Sequence, residues 1–169
     1  MAMLHLLRHA KSSAKGDVED HERPLSRRGR EAARRIGKHL ATRIGVLDLV
    51  LCSSARRTRE TLDLALAEFS PPPRCLIEGG LYLASRERLV NRLRLIDPRE
   101  VNVLLIGHNP GLHDLAVALA DERSPAFAEL ASGKFPTAAC ASLQVSAPWS
   151  ALGASRHPLV AFLTPNSLI

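Results

Sequence analysis

Two histidines in this chain each close an apolar run. His9 ends Leu4-His5-Leu6-Leu7-Arg8-His9 and is followed by Ala10-Lys11-Ser12; His108 follows Val101-Asn102-Val103-Leu104-Leu105-Ile106-Gly107 and precedes Asn109-Pro110-Gly111. A third apolar run, Val46 to Cys52, stops at Ser53-Ser54-Ala55-Arg56-Arg57-Thr58-Arg59. Imidazoles and guanidiniums at strand ends suit phosphoryl chemistry. A guanidinium binds phosphoryl oxygens with a rigid fork of donors, and a neutral imidazole is a competent nucleophile toward phosphorus. Arg8, His9, Arg57 and His108 therefore form a set in which one imidazole attacks while the other groups stabilise charge. Hydrolysis would pass through a phosphohistidine in two in-line displacements. Neighbouring arginines disfavour the imidazolium, which keeps a lone pair available at neutral pH. This chemistry needs no metal and no cofactor, and no Cys/His spacing resembles a zinc site.

Such residues act only if a scaffold brings them together. The runs from Met3, from Val46 to Cys52 and from Val101 to Ile106 have the length and flanks of buried strands, with Cys75-Leu76-Ile77 a shorter one. In open sheets with crossover helices, ligands bind beyond the carboxyl ends of the strands, where these runs deliver Arg8, His9 and His108. A helix starts at the N-cap Ser26, carries Ala32 or Ala33, Ile36, Leu40 and Ile44 as its stripe, and ends at Gly45. Another begins at Ala55, capped by Ser53 or Ser54, and runs through Leu62, Leu66 and Phe69 to Pro71-Pro72-Pro73. Its first turns hold Arg56, Arg57 and Arg59, against the preference of the helix dipole, and a bound anion resolves that conflict. Arg56 and Arg59 are expected to bend into solvent, leaving Arg57 for the site. A third helix opens at Ser85, and a fourth follows Asn109 as cap with Pro110 in its first position. Residues 13 to 24 read as a loop over the end of the first strand. Ala139, Ala141, Leu143 and Val145 alternate with polar or small residues as in a half-exposed strand, and Leu159 to Leu163 is the last strand.

The alternation of strands and helices implies an α/β fold: a three-layer sandwich with a mostly parallel central sheet, helices on both faces, and an antiparallel strand near the C-terminal end. A length of 169 residues fits a single domain spanning 1–169. No segment is a membrane span and no secretory signal is visible. Cys52, Cys75 and Cys140 are odd in number and set in apolar surroundings, which fits reduced thiols in a cytoplasmic protein. The net charge of +6 fits an anionic partner at a focused site or an Arg-rich solvated surface. One Trp, one Tyr and four Phe, none interleaved with basic residues, argue against nucleic acid.

Leu7-Arg8-His9-Ala10-Lys11-Ser12, Pro24-Leu25-Ser26 with Gly29 and Ala33, Ser53 to Thr61, Leu81-Tyr82, Gly107-His108-Asn109-Pro110-Gly111 and Phe135-Pro136-Thr137 resemble, in this order, the histidine phosphatase superfamily, the phosphoglycerate mutase-like proteins. The compact length and the Arg-His-Ala-Lys-Ser form resemble its SixA branch, the protein phosphohistidine phosphatases. The resemblance implies that His9 is the nucleophile that is transiently phosphorylated, that Arg8 and Arg57 bind the phosphoryl group, and that His108 contacts it. Lys11, Ser12 and Asn109 are further candidates for substrate binding. Ala10 stands where the wider superfamily has glycine.

The acid that protonates alcohol leaving groups in mutases has no clear counterpart. Glu78, followed by Gly79-Gly80, reads as an exposed loop carboxylate, and Asp17, Glu19 or Glu22 of the overhanging loop could supply a displaced acid. Without one, imidazole leaves far more easily than an alkoxide. The expected substrate is thus a phosphohistidine-containing protein, the alternatives being a small phosphorylated molecule or a non-catalytic phosphoprotein-binding module. The sequence leaves the oligomeric state open.

Overall fold

The computed structural model describes residues 1–14 and 16–168. Six strands form one sheet in the order β3-β2-β4-β1-β5-β6: β1 (Ala2–Arg8), β2 (Leu49–Ser53), β3 (Arg74–Glu78), β4 (Asn102–Gly107), β5 (Cys140–Val145) and β6 (Leu159–Leu163). The pairs β1–β4, β2–β4 and β2–β3 are parallel, and β5 is antiparallel to both β1 and β6. The central strands are buried on both faces, which is why their sequences read as continuous apolar runs.

Side chains alternate between two cores. Leu4, Leu6, Val103 and Leu105 join one core with α3 (Arg86–Leu93), α4 (Gly111–Leu119) and α5 (Phe127–Ser132). Leu7, Leu104 and Ile106 join the other, with Ala33, Ile36 and Leu40 of α1 (Arg27–Ile44) and Leu62 and Ala65 of α2 (Arg56–Ala65). Helices thus cover both faces of a mixed sheet, the expected three layers. No helix among the described residues is long and apolar enough to cross a membrane.

Three local expectations are corrected. β5 is not half-exposed: Cys140 packs into the α1–α2 core, and Ser142 is buried against His5, its Oγ 2.7 Å from Nδ1. The alternation is real, but both faces are covered. Cys75 is exposed on edge strand β3, whereas burial pushes the Cys52 and Cys140 thiols up to about 12. α2 ends at Ala65, short of Phe69.

One close approach sets the frame of the site. Ser26 caps α1, its Oγ accepting from Gly29 N–H, while its own N–H and Oγ–H donate to the Lys11 carbonyl at 2.9 and 3.1 Å. A Cβ on Gly29 would lie 2.0 Å from that carbonyl oxygen. Only glycine lets α1 sit this near the segment that follows β1.

Candidate active site

Parallel pairing places Arg8 opposite Gly107, so the residues that follow, His9 and His108, emerge side by side. The His9 N–H donates to the Gly107 carbonyl at 3.2 Å, and the two imidazole centroids are 5.3 Å apart. β2 flanks β4 on its other side and ends at Ser53, whose Oγ lies 2.7 Å from His108 Nε2.

Hydrogen bonds assign the tautomer of His9. Its Nδ1 is 2.7 Å from the Ala10 carbonyl. A carbonyl only accepts, so Nδ1 carries the proton and the lone pair resides on Nε2. His108 Nδ1 is buried with no partner.

The guanidiniums come from different elements. Arg8 donates from Nη1 to the Phe135 carbonyl at 3.1 Å, which also accepts from Asn109 Nδ2 at 2.9 Å. Arg57 sits in the first turn of α2 and is 3 % exposed. One turn later, Thr61 donates to the Arg57 carbonyl at 2.7 Å and accepts from the Ala10 N–H at 3.0 Å, tying the helix to the residue after His9. The Nε donors of Arg8 and Arg57 and the Asn109 Oδ1 are buried without partners, like His108 Nδ1. Unfilled polar groups gathered in one place are costly unless a ligand completes them.

The segment over the strand ends supplies a carboxylate that sequence reasoning missed. Asp20, in a single 3-10 turn (Asp20–Glu22), receives Arg57 twice: Nη1 donates to its carbonyl at 2.8 Å and Nη2 to its Oδ2 at 3.1 Å. Tyr82 Oη also donates to Oδ2, and Arg23 pairs with Oδ1 at 3.1 Å. Beside it His21 Nε2 is 2.9 Å from Ser54 Oγ. Of the three acids considered in this loop, Glu22 is engaged by His21 at 2.7 Å, and neither Asp17 nor Glu19 lines the cleft. Glu78 is not a loop carboxylate: it ends β3 and holds Arg92 of α3 in a bidentate pair at 2.7 and 2.9 Å.

Burial is the main reason the His9 pKa falls to about 4, and the charges of Arg8, Arg57 and Arg23 push the same way. His108 falls to about 3, again chiefly by burial, helped by His9 and Arg57. Both rings are neutral at pH 7. Asp20 is held near 2, first by the Tyr82 hydroxyl and then by Arg57, so it is an anion there and no proton donor.

Arg8, His9, Arg57, His108, Lys11, Ser12 and Asn109 all line one open cleft of about 480 Å³, together with Asp20, Arg23, Leu83 and Thr137. Two residues around it have positive φ without being glycine, Leu83 (52°) and Ala138 (62°); the Ala138 N–H donates to the carbonyls of Arg8 and His9, both at 3.1 Å. Strained backbone of this kind concentrates at functional sites. Two expected caps serve the site instead. Ser53 Oγ bonds His108 and reaches only the N–H of Ala55, the N-cap of α2, which has no side-chain cap of its own; Asn109 turns to Phe135, and α4 has Pro110 at its N-cap. Arg59 does not bend freely into solvent, since its Nε donates to the Ser54 carbonyl at 2.9 Å, while Arg56 lies on the surface paired with Glu60.

Residues 4–78 match the family model of the histidine phosphatase superfamily, branch 1. The uncharacterised protein Rv1276c of Mycobacterium tuberculosis is 34 % identical over 162 residues, covering 95 % of this chain and 100 % of that one. A protein from Nakamurella multipartitia assigned as a SixA phosphohistidine phosphatase superimposes with a TM-score of 0.85 at 27 % identity, over 97 % of this chain and 96 % of the other. A similarly assigned SixA protein from Agrobacterium tumefaciens gives a TM-score of 0.81 at 27 % identity, over 97 % and 98 %. With its sheet order, its paired strand-end histidines and these relationships, the chain belongs to the histidine phosphatase superfamily.

Proposed function

We propose that this protein is a metal-independent phosphatase that removes phosphate from phosphohistidine on a protein. The observation that carries the reading is the unprotonated Nε2 of His9, fixed by the Nδ1–Ala10 hydrogen bond beside two guanidiniums whose buried Nε donors lack acceptors. A tetrahedral oxyanion supplies what those donors lack. His9 Nε2 attacks phosphorus, the phosphorus–nitrogen bond to the substrate imidazole breaks, and that ring leaves neutral when its other nitrogen carries a proton. Water then attacks the phosphohistidine of His9, releasing inorganic phosphate and restoring the neutral ring. Arg8, Arg57 and His108 stabilise the equatorial oxygens, with Asn109, Lys11 and Ser12 at the margin of the cleft.

The leaving group decides the substrate class. Asp20, the carboxylate in the cleft, is ionised and occupied by Arg57 and Tyr82, so an alkoxide would depart without an acid. Imidazole, with a conjugate acid near 6.5, needs none. The supporting neighbours are SixA proteins in the same superfamily.

Phosphate release from a phosphohistidine peptide and from an alkyl phosphate, measured side by side with His9→Ala as control, tests this. Release from the peptide is expected to exceed that from the alkyl phosphate and to fall more than about a thousandfold in the variant, as for loss of a nucleophile. Equal rates for wild type and variant would overturn it; preference for the alkyl phosphate would favour a small-molecule phosphomonoesterase.

A further inference from the structure

A second cleft, of about 510 Å³, adjoins the first and shares Lys11 and Thr137 with it. Arg28, Ala32 and Arg35, at helical spacing on α1, line one side; Pro136, Thr164, Pro165 and Asn166 contribute to the rest. Lys11, Arg28 and Arg35 are exposed, and among the described residues no carboxylate pairs with any of them. Glu31, the one acid in this cleft, is turned to Arg27 at 3.7 Å.

The helix behind this cleft is built at its own expense. α1 carries seven arginines and lysines against a single glutamate, as large an excess as that of the whole chain. Its first turn has no acidic residue, although the dipole there favours anions and disfavours Arg27, Arg28 and Arg30. Like charges also face one another at i,i+4, Arg30 with Arg34 and Arg34 with Lys38. Arg30 is engaged by the Leu25 carbonyl at 3.0 Å and Arg27 by Glu31, but among the described residues no acceptor meets Arg28 or Arg35, the two that line the cleft. A negatively charged partner would supply one.

Resting on the phosphohistidine reading, we propose that this cleft and the basic face of α1 dock an acidic surface of the phosphoprotein whose phosphohistidine enters the adjoining catalytic cleft. Both clefts are open troughs, as a macromolecular substrate requires, and Leu83 offers an apolar contact on the catalytic rim, 55 % exposed. Nucleic acid fits less well, because no aromatic ring lines the basic cleft for bases to stack on.

Two peptides decide it, each with a central histidine and a flank of four residues, glutamates in one and glutamines in the other. Binding of the unphosphorylated peptides, followed by fluorescence anisotropy at low salt, is expected to favour the glutamate peptide about tenfold, the combined effect of two or three exposed ion pairs. The preference should fade with salt and vanish in Arg28→Glu/Arg35→Glu, which should still hydrolyse p-nitrophenyl phosphate at the wild-type rate. On the phosphorylated peptides, the same preference should appear in kcat/KM. Equal binding of the two peptides, a preference that survives charge reversal, or tighter binding of a single-stranded oligonucleotide would overturn the proposal. Intact binding preference with no turnover of either phosphopeptide would instead overturn the phosphatase reading and leave docking standing.

Discussion

The Thr61 hydroxyl accepts a hydrogen bond from the Ala10 N–H at 3.0 Å and donates one to the Arg57 carbonyl at 2.7 Å. One side chain thus fixes the residue after His9 relative to Arg57, which lies far away in sequence but lines the same cleft. Thr61→Val keeps the shape and leaves the buried Ala10 N–H without an acceptor, a change worth about 1–3 kcal/mol. Denaturant unfolding should register that loss. Phosphatase activity should fall further than stability alone explains, and an unchanged kcat at full folding would separate Thr61 from the positioning of the site.

The Asp20 carboxylate occupies the Arg57 fork, where a phosphoryl oxygen would compete for the same donors. Asp20→Ala should therefore tighten binding of inorganic phosphate, by about three- to tenfold for a half-exposed charge pair. Titration calorimetry reads this directly. Weaker phosphate binding in the variant would mean that Asp20 holds the pocket in shape instead of contesting it.

The two site histidines have folded pKa values of about 4 and about 3, below the ordinary 6.5. Between these values and 6.5 the unfolded chain binds more protons than the folded one, so stability rises with pH through this window. The contribution is complete above 6.5 and is lost as pH falls toward 4. Asp20, Asp97 and Asp121, held near 2, contribute with the same sign at lower pH: their share is complete above about 3.8 and is lost as pH falls toward 2. Thermal unfolding midpoints should accordingly drop from pH 7 to pH 4.5. Imidazole NMR should find the His9 ring uncharged at pH 5.5, and a ring that titrates at 6.5 would contradict the burial that lowers it.

Glu78 engages Arg92 in a bidentate pair and does not line the cleft. Glu78→Gln should leave phosphatase activity at the wild-type level while costing at most about 1 kcal/mol, as for a partly exposed ion pair. A large fall in activity on alkyl phosphates alone would restore it as a general acid.

Gly29→Ala introduces a Cβ where the Lys11 carbonyl oxygen already sits. Either α1 shifts away or the segment after His9 does, at a cost of about 1–3 kcal/mol. A fall in both unfolding free energy and activity is the expected result.

Much of this was readable in the sequence, for identifiable reasons. The doubly buried strands advertise themselves as unbroken apolar runs, and Ser26 and Ser85 cap their helices as their positions imply. The misread caps share one cause: a polar side chain at a helix start has a local and a distant partner, and sequence displays only the local one. Asn109 chose the distant one, Phe135, and Ser53 Oγ meets both, His108 at 2.7 Å and the local Ala55 N–H at 3.3 Å. Asp20 was hidden differently. It lies in a turn without periodicity among Asp17, Glu19 and Glu22, and long-range contacts such as the Ser13 N–H bond to the Pro24 carbonyl, the Ser12–Leu25 bridge and the His21–Ser54 bond bring it over Arg57.

The strand that presents His9 precedes the other five described strands in sequence, yet its two neighbours in the sheet are β4 and β5, which span 102–107 and 140–145. Pairings this distant in sequence form late, because long stretches of chain must be closed to make them. Until those pairings close, the His9 ring lacks the frame that β4 and β5 supply. Its surroundings in the cleft are complete only once Leu7 has met Cys140 across the sheet.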